Sequence, residues 1–320
     1  MSEKVLVLGG SYFVGRKIVE YLHKMKYDVS VLNRGTRTIP NPGVKQIICD
    51  RSDLDSMKAA LKDQRFDYVI DVSWQDLSWV RNTCEALSFQ TVRKFVFISS
   101  SAVYDVDSLK IPFQEDNTLG ENKYWTFYGK GKIDAENYYS NFLSATSTDL
   151  IILRPPYIFG EYNYAQRESL IFRQLMEDKP VAIPKSNPKL QFLYTEDLAD
   201  IIFCLLNSSL SNIFIANVGN QLNVTSREWI ETCAQVVGKI PEIIEVDYAK
   251  IGKNVRDFYP FFDYDNVLDL SRIHSIWNKE TDFTEGLKHA YEWFRTNRSE
   301  MVFKKNVDQN LYEIIAAMSV

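Results

Sequence analysis

No apolar run in this chain approaches the roughly 20 residues of a membrane-spanning helix, so no helical membrane span is expected. Cysteine is scarce and scattered: Cys49, Cys84, Cys204 and Cys233 show no Cys-x-x-Cys spacing and read as reduced, structural thiols. Histidine is scarcer, and His23, His274 and His289 lack metal-ligand spacing, so no metal site is expected. Positive charge is not in excess. Lys and Arg number 37 against 42 Asp and Glu, a net charge of −5, which gives no general attraction to nucleic acid or anionic membranes. Repeats, low-complexity segments and long linkers are missing too. The opening MSEKVLVLGG enters a strand at once and lacks a signal-peptide layout. These features together lead to the expectation of a cytoplasmic protein.

The 320 residues suffice for one large α/β domain or two smaller ones. Val5–Leu8 is a continuous apolar run, as in a strand covered on both faces. Gly9 and Gly10 form a turn, and a helical pattern begins near Val14, with Ile18, Val19 and Leu22 on one side. Strand, glycine turn and helix make the entry to a nucleotide-binding βαβ unit, whose tight turn aims N–H groups at a phosphate. A dinucleotide turn usually carries three glycines, and here Tyr12 occupies the middle position. Its side chain must point away from a pyrophosphate, or its hydroxyl must donate to one.

Strand patterns follow at 28–32, 44–48, 68–72, 95–98 and 149–153, with helical patterns at 53–62, 75–89 and 127–142 between them. This alternation predicts a doubly wound parallel sheet of Rossmann type over residues 1–155. Beyond Pro155-Pro156 the chain becomes rich in proline and aromatics, with helices predicted near 168–177, 196–206 and 284–294 and a capping box at Thr225–Glu228. Residues 156–320 read as a smaller, mixed substrate lobe on the sheet's C-terminal edge, with a return to the first domain near 191–218.

The sharpest chemical constellation is Tyr128-Gly-Lys-Gly-Lys132. Residues four apart share a helix face, which sets a phenol beside an ammonium group. The cation is expected to lower the phenol pKa, so that Tyr128 exchanges a proton with a substrate hydroxyl near neutral pH. Ser99-Ser100-Ser101 ends the preceding strand, and a hydroxyl there would stabilise the reacting oxygen.

With these landmarks in order, the chain resembles the extended short-chain dehydrogenase/reductases, which include sugar-nucleotide epimerases and dehydratases. The resemblance runs from the glycine turn through Ser99–Tyr104, Tyr128-x-x-x-Lys132 and Leu153-Arg154-Pro155-Pro156 to Phe192–Asp197, Asn217-Val-Gly219 and Leu268–Ser271. It implies that Tyr128 is the acid/base, Lys132 its partner and a ribose binder, and Ser100 the catalytic hydroxyl, with Ser101 the runner-up. It implies a cofactor held by Gly9, Gly10, Ser11, Tyr12, Phe13, Val14 and Gly15, by Asn33 and Arg34, by Asp50 and Arg51 beside the adenine, and by Val72, Ser73, Ser99, Pro155 and Pro156. Ser101, Tyr104, Tyr157, Gln191 and Arg256 are the expected substrate contacts.

Departures from the family pattern carry their own expectations. Strand two ends in Asn33-Arg34 rather than an acid, so Arg34, with Arg37, suits the 2′-phosphate of NADP, favouring NADP over NAD. Ser100-Ser101-Ala102 lacks the acidic pair of the dehydratases, which disfavours water elimination. Leu190 and Phe262 stand where arginines usually hold a nucleotide-sugar pyrophosphate. The expected protein is an NAD(P)-dependent epimerase or reductase acting on a secondary hydroxyl or ketone, the substrate a small molecule of the sugar-nucleotide kind. The variant turn is also similar to a branch holding plastid stem-loop RNA-binding proteins, so the alternative is a regulatory or RNA-binding protein on the same fold. A homodimer through the helix near 75–89, using Trp79, Val80, Cys84 and Leu87, is a further expectation.

Overall fold

The structure, a computed structural model, describes residues 2–72, 76–301, 303 and 306–318. In chain order the first half comprises β1 (Lys4–Leu8), α1 (Phe13–Lys24), β2 (Asp28–Asn33), β3 (Lys45–Ile48), α2 (Leu54–Leu61), β4 (Tyr68–Asp71), α3 (Leu77–Ala86), β5 (Lys94–Ile98), α4 (Thr126–Leu143) and β6 (Asp149–Arg154). The second half comprises β7 (Tyr157–Phe159), α5 (Glu168–Met176), β8 (Val181–Pro184), β9 (Lys189–Tyr194), α6 (Thr195–Leu206), β10 (Ile213–Asn217), β11 (Asn223–Thr225), α7 (Ser226–Val237), β12 (Ile243–Val246), α8 (Ser271–His274), α9 (Phe283–Asn297) and α10 (Asn306–Met318).

Seven strands form one parallel sheet in the order β10-β6-β5-β4-β1-β2-β3. The period of two explains its layering: Val5 and Val7 enter the core under α1 and α6, while Leu6 and Leu8 enter the core under α2, α3 and α4. Strand order reverses at β1, and the crevice beyond the carboxyl ends of β1 and β4 is where open α/β sheets bind ligands.

The second lobe has its own aromatic core, in which Phe192 stacks on Trp229 with centroids 4.0 Å apart. It holds a mixed sheet, β11-β9-β7, and a parallel pair, β12-β8. The Thr225–Glu228 capping box forms as its spacing predicts. Within the expected return segment β9 belongs to the small sheet, α6 packs on the first core and β10 joins the large sheet, and Leu268, Leu270, Ile273 and Trp277 enter that core as well. The second-lobe strands are three to six residues long, and β8 ends in a proline, so no alternation long enough to read marks them in the sequence.

Helix α4 carries a buried polar seam that fixes it on the sheet. The Lys132 ammonium donates to the Ile98 carbonyl at 2.7 Å, and the Tyr139 hydroxyl to Asp71 at 2.6 Å. Glu136 takes two bonds from Arg154, at 3.0 and 2.6 Å, and one from Ser99. Removing one partner of such a pair leaves a buried charge uncompensated. Arg154→Met is therefore expected to destabilise the fold by about 3–5 kcal/mol, read from the urea midpoint; a loss below about 1 kcal/mol, the scale of a surface pair, would contradict this role.

Candidate active site

A cavity of about 460 Å3 opens at the switch point. Its walls come from the β1–α1 turn, the ends of β4 and β5, the face of α4, Pro155–Ile158, the loop before α5, and Asn266. Among the described residues its charged lining is Lys132 and Arg167, with no carboxylate.

The glycine turn is built by steric necessity. Gly9 sits at φ +94°, the region that favours glycine. A Cβ on Gly15 would lie 2.2 Å from the Gly9 carbonyl oxygen, and one on Gly10 would lie 2.7 Å from Val19. Helix α1 thereby presses against the turn. Tyr12, its N-cap residue, gives no side-chain cap, and no acid occupies the first turn. The helix N-terminus is left to an anion, the fit a dinucleotide pyrophosphate requires. Gly9, Tyr12, Phe13, Val14 and Gly15 line the cavity, whereas Gly10 packs inward and Ser11 is half-buried outside the lining. The Tyr12 ring has the Arg37 guanidinium 3.9 Å from its centroid and the Tyr164 ring at 5.4 Å. It thus links the loop after β2 to the loop before α5 along one wall.

Tyr128 stands on the first turn of α4 and lines the cavity together with Ser100. The next residue explains this placement: a Cβ on Gly129 would lie 2.4 Å from the Ala102 carbonyl oxygen, so only glycine lets α4 lie this close to the turn at 101–103. Tyr128 is 38% exposed as a residue. Burial pushes the phenol pKa above its ordinary value, and the nearby Ser100 hydroxyl and the Arg167 charge oppose the rise. The sequence expected Lys132 to depress this pKa. Instead the Lys132 ammonium lies 5.8 Å from the centre of the Tyr128 ring and bonds to the Ile98 carbonyl, so the cation that acts on the phenol is Arg167. Burial pushes Lys132 itself down to about 8, against the pull of Asp71 and Glu136.

Of the other expected contacts, Val72, Ser99, Ser101, Pro155, Pro156 and Tyr157 line the cavity with Ser100, while Ser73 falls outside the described residues. Five expectations need correction. Arg51 is buried and forms a two-pronged pair with Asp71, both bonds 2.8 Å, so its guanidinium faces the interior. Tyr104, fully buried, donates to Asn217 at 2.6 Å and accepts from Arg154. Gln191 is held between the Asn220 carbonyl and the Leu268 N–H, under a different, shallow depression. Asp50 is exposed and binds Ser52, whose backbone N–H holds the carboxyl below its usual range. Arg256 stands behind the cavity wall, its guanidinium 5.0 Å from the Phe262 ring and bonded to the Pro260 carbonyl.

Asn33 and Arg34 lie outside the lining; the Asn33 side-chain oxygen accepts from the Gly35 N–H and the Gln46 side chain, while its side-chain nitrogen is buried with no partner among the described residues. Of the residues named for a dimer contact, Val80, Cys84 and Leu87 are buried against the parent sheet, and Trp79 is half-buried.

Sequence reasoning missed Trp125, Tyr164, Arg167 and Asn266, which also line the cavity. Tyr164 and Arg167 follow the aromatic-rich stretch after Pro156, the available signal; Asn266 offered none.

Among the described residues no helix is long and apolar enough to cross a membrane, and no group of three metal-ligating side chains occurs.

Lys132 ties pH to stability. Its folded pKa is lowered from 10.5, so the unfolded chain binds more protons as pH climbs from about 8 toward 10.5, and wild type gains stability across that window. Denaturant melts of wild type and Lys132→Met are expected to diverge in wild type's favour from pH 8 to pH 10; a constant gap would mean that the ammonium is not destabilised by burial.

Residues 5–219 match the model of the NAD dependent epimerase/dehydratase family. A chloroplast stem-loop binding protein of 41 kDa from Arabidopsis thaliana is 25% identical over 91% of this chain and 79% of its own length. A putative UDP-glucose 4-epimerase from Methanocaldococcus jannaschii is 24% identical over 92% of this chain and 99% of its own. Among solved structures, the UDP-glucose 4-epimerase of Thermotoga maritima with UDP-glucose superposes with a TM-score of 0.75 at 18% identity, covering 92% of this chain and 99% of that one. The dTDP-glucose 4,6-dehydratase of Bacillus anthracis in complex with NAD gives 0.78 at 16% identity, covering 94% and 99%. These likenesses show a shared fold.

Proposed function

We propose, from the premise that the chain belongs to the NAD-dependent epimerase/dehydratase family, that it is an epimerase or reductase working on a secondary hydroxyl or ketone of a sugar nucleotide or related sugar. The observation that carries the reading is the meeting of Tyr128, Ser100 and Lys132 in one cavity floored by the glycine turn. The relatives named as UDP-glucose 4-epimerases support the substrate class.

The nicotinamide, when bound, supplies the hydride acceptor and donor. The α1 N-terminus would hold its pyrophosphate and Lys132 a ribose, with Val72 and Pro156 lining the same cavity. Tyr128 moves the proton on the substrate oxygen, and Ser100 donates to that oxygen as charge develops on it. Because its pKa is raised, Tyr128 rests protonated, ready to give a proton to a ketone. Oxidation of the alcohol needs the phenolate, which Arg167 and Ser100 favour. The alcohol-oxidation rate is therefore expected to climb with pH above neutrality, while reduction stays level until the phenol ionises.

Tyr128→Phe is expected to lower kcat about 10²–10⁴-fold with sugar binding intact and to remove that pH limb; interconversion of UDP-glucose and UDP-galactose, with absorbance at 340 nm, is the assay. Full activity in the variant would refute the assignment.

The reading extends to NADP. No acid ends β2, and Arg34 and Arg37 follow it. NADPH is expected to bind at least tenfold tighter than NADH in a fluorescence titration, with Arg34→Ala erasing the difference; equal affinities would favour NAD.

The stem-loop binding relative favours a second reading, an RNA-binding protein on the same fold. It requires stem-loop RNA to bind with an affinity that falls steeply with salt, and a Tyr128→Phe variant that binds RNA as wild type does.

A further inference from the structure

Helix α1 carries a stripe that the sheet does not use. Phe13, Arg16, Lys17 and Glu20 recur at i, i+3, i+4 and i+7, the spacing of one helix face. The loop between β7 and α5, residues 160–167, runs along that stripe toward the N-terminus of the helix.

The contacts pair off in order. Glu161 takes the Lys17 ammonium at 2.9 Å, with side chains only 16% and 12% exposed, and accepts from the Tyr194 hydroxyl at 3.1 Å. Tyr162 lies under the Arg16 guanidinium, 3.8 Å from its ring centre, and donates to Glu20 at 3.3 Å. Tyr164 meets the Tyr12 ring at 5.4 Å and the edge of the Phe13 ring at 6.1 Å. The last pair stands at the first residues of α1, beside the place assigned to a pyrophosphate.

The loop is fastened unevenly. Its base is closed by the buried Glu168 carboxylate, which accepts from the Gly160 N–H at 3.0 Å and from the Asn163 side chain at 3.0 and 2.9 Å. Asn163 is buried as well, whereas the next residue, Tyr164, is 64% exposed although it lines the cavity. On either side of that tip the backbone is strained: Tyr162 and Gln166 hold φ at +64° and +52°, in the left-handed region that side chains disfavour. Such strain persists only where its surroundings enforce it, and it gathers at ligand clamps and switch regions.

We propose that residues 160–167 are a strap across the dinucleotide site, anchored on α1 by Glu161 and Tyr162, with Tyr164 as a hook that must leave Tyr12 before a cofactor enters or departs. This rests on reading the cavity as a dinucleotide site. It also gives the residue at the middle glycine position a task. A glycine there would offer the hook no ring to rest on, so Tyr12 exchanges close backbone approach for a latch.

The test is stopped-flow mixing of the full chain with NADPH and with NADH, followed by displacement with excess oxidised cofactor, read by nicotinamide fluorescence. A latch obstructs passage both ways. Tyr164→Ala is therefore expected to raise the association and the dissociation rate together, each about tenfold, so that affinity moves far less than either rate. Tyr12→Ala is expected to do the same, and the double variant to add nothing, because either change removes the one contact. Tyr164→Phe keeps the ring and is expected to stay within about twofold of wild type, which guards against a folding artefact. A rise in the dissociation rate alone would make Tyr164 an ordinary ligand contact, and unchanged rates would make it a bystander. Either result overturns the strap and leaves the dinucleotide site standing. Failure of wild type and both alanine variants to bind either cofactor would sink the site itself and the strap with it.

Discussion

The position of α4 is the constraint on which the site depends. A helix that buries Lys132, Glu136 and Tyr139 on one face has few ways to sit on a sheet, because each polar group must find its partner. Ile98, Arg154 with Ser99, and Asp71 are those partners, and they lie on three adjacent strands, β5, β6 and β4, or just beyond their ends. Gly129 removes the last obstacle by letting the helix touch the turn after β5. Once the seam is made, Tyr128 and Ser100 line the same cavity. The arrangement also puts a buried lysine beneath the cavity, a placement that favours ligand chemistry over stability.

The two ends of the cavity are built differently. The cofactor end is mostly backbone: a glycine turn, an uncapped helix N-terminus and strand ends. The substrate end is side chains from loops, with the Arg167 guanidinium, aromatic rings and one unsatisfied amide. Tyr12 joins the two, since its ring meets Arg37 from the loop after β2 and Tyr164 from the loop before α5. The substitution that made the glycine turn look defective in sequence therefore ties together two loops that a smaller residue would leave apart.

Much of the first half was legible because its signals are local. A fully buried central strand shows itself as Val-Leu-Val-Leu, and a phenol and an amine four residues apart declare one helix face. What could not be read was which polar residues face inward. Arg51, Tyr104 and Gln191 are of types that suit a ligand, and only the tertiary fold supplies the Asp71, Asn217 and Asn220 partners that claim them. The converse holds for Arg167 and Asn266, whose role depends on loops with no periodicity. The Tyr–Lys pairing was read as a charge effect on the phenol, but the lysine's hydrogen bond turns its ammonium toward the strand end and leaves that effect to an arginine.

Isotope transfer reaches the central claim, proton and hydride exchange with a secondary carbinol at Tyr128, most directly. The protein, loaded with oxidised cofactor, is incubated for a single turnover with a phosphorylated sugar deuterated at its reacting carbinol carbon, and the nicotinamide is analysed by mass spectrometry. Deuterium on the nicotinamide in wild type and none in Tyr128→Phe is the expected result. A bound sugar that leaves the nicotinamide unlabelled in wild type, or equal labelling in the variant, would contradict it.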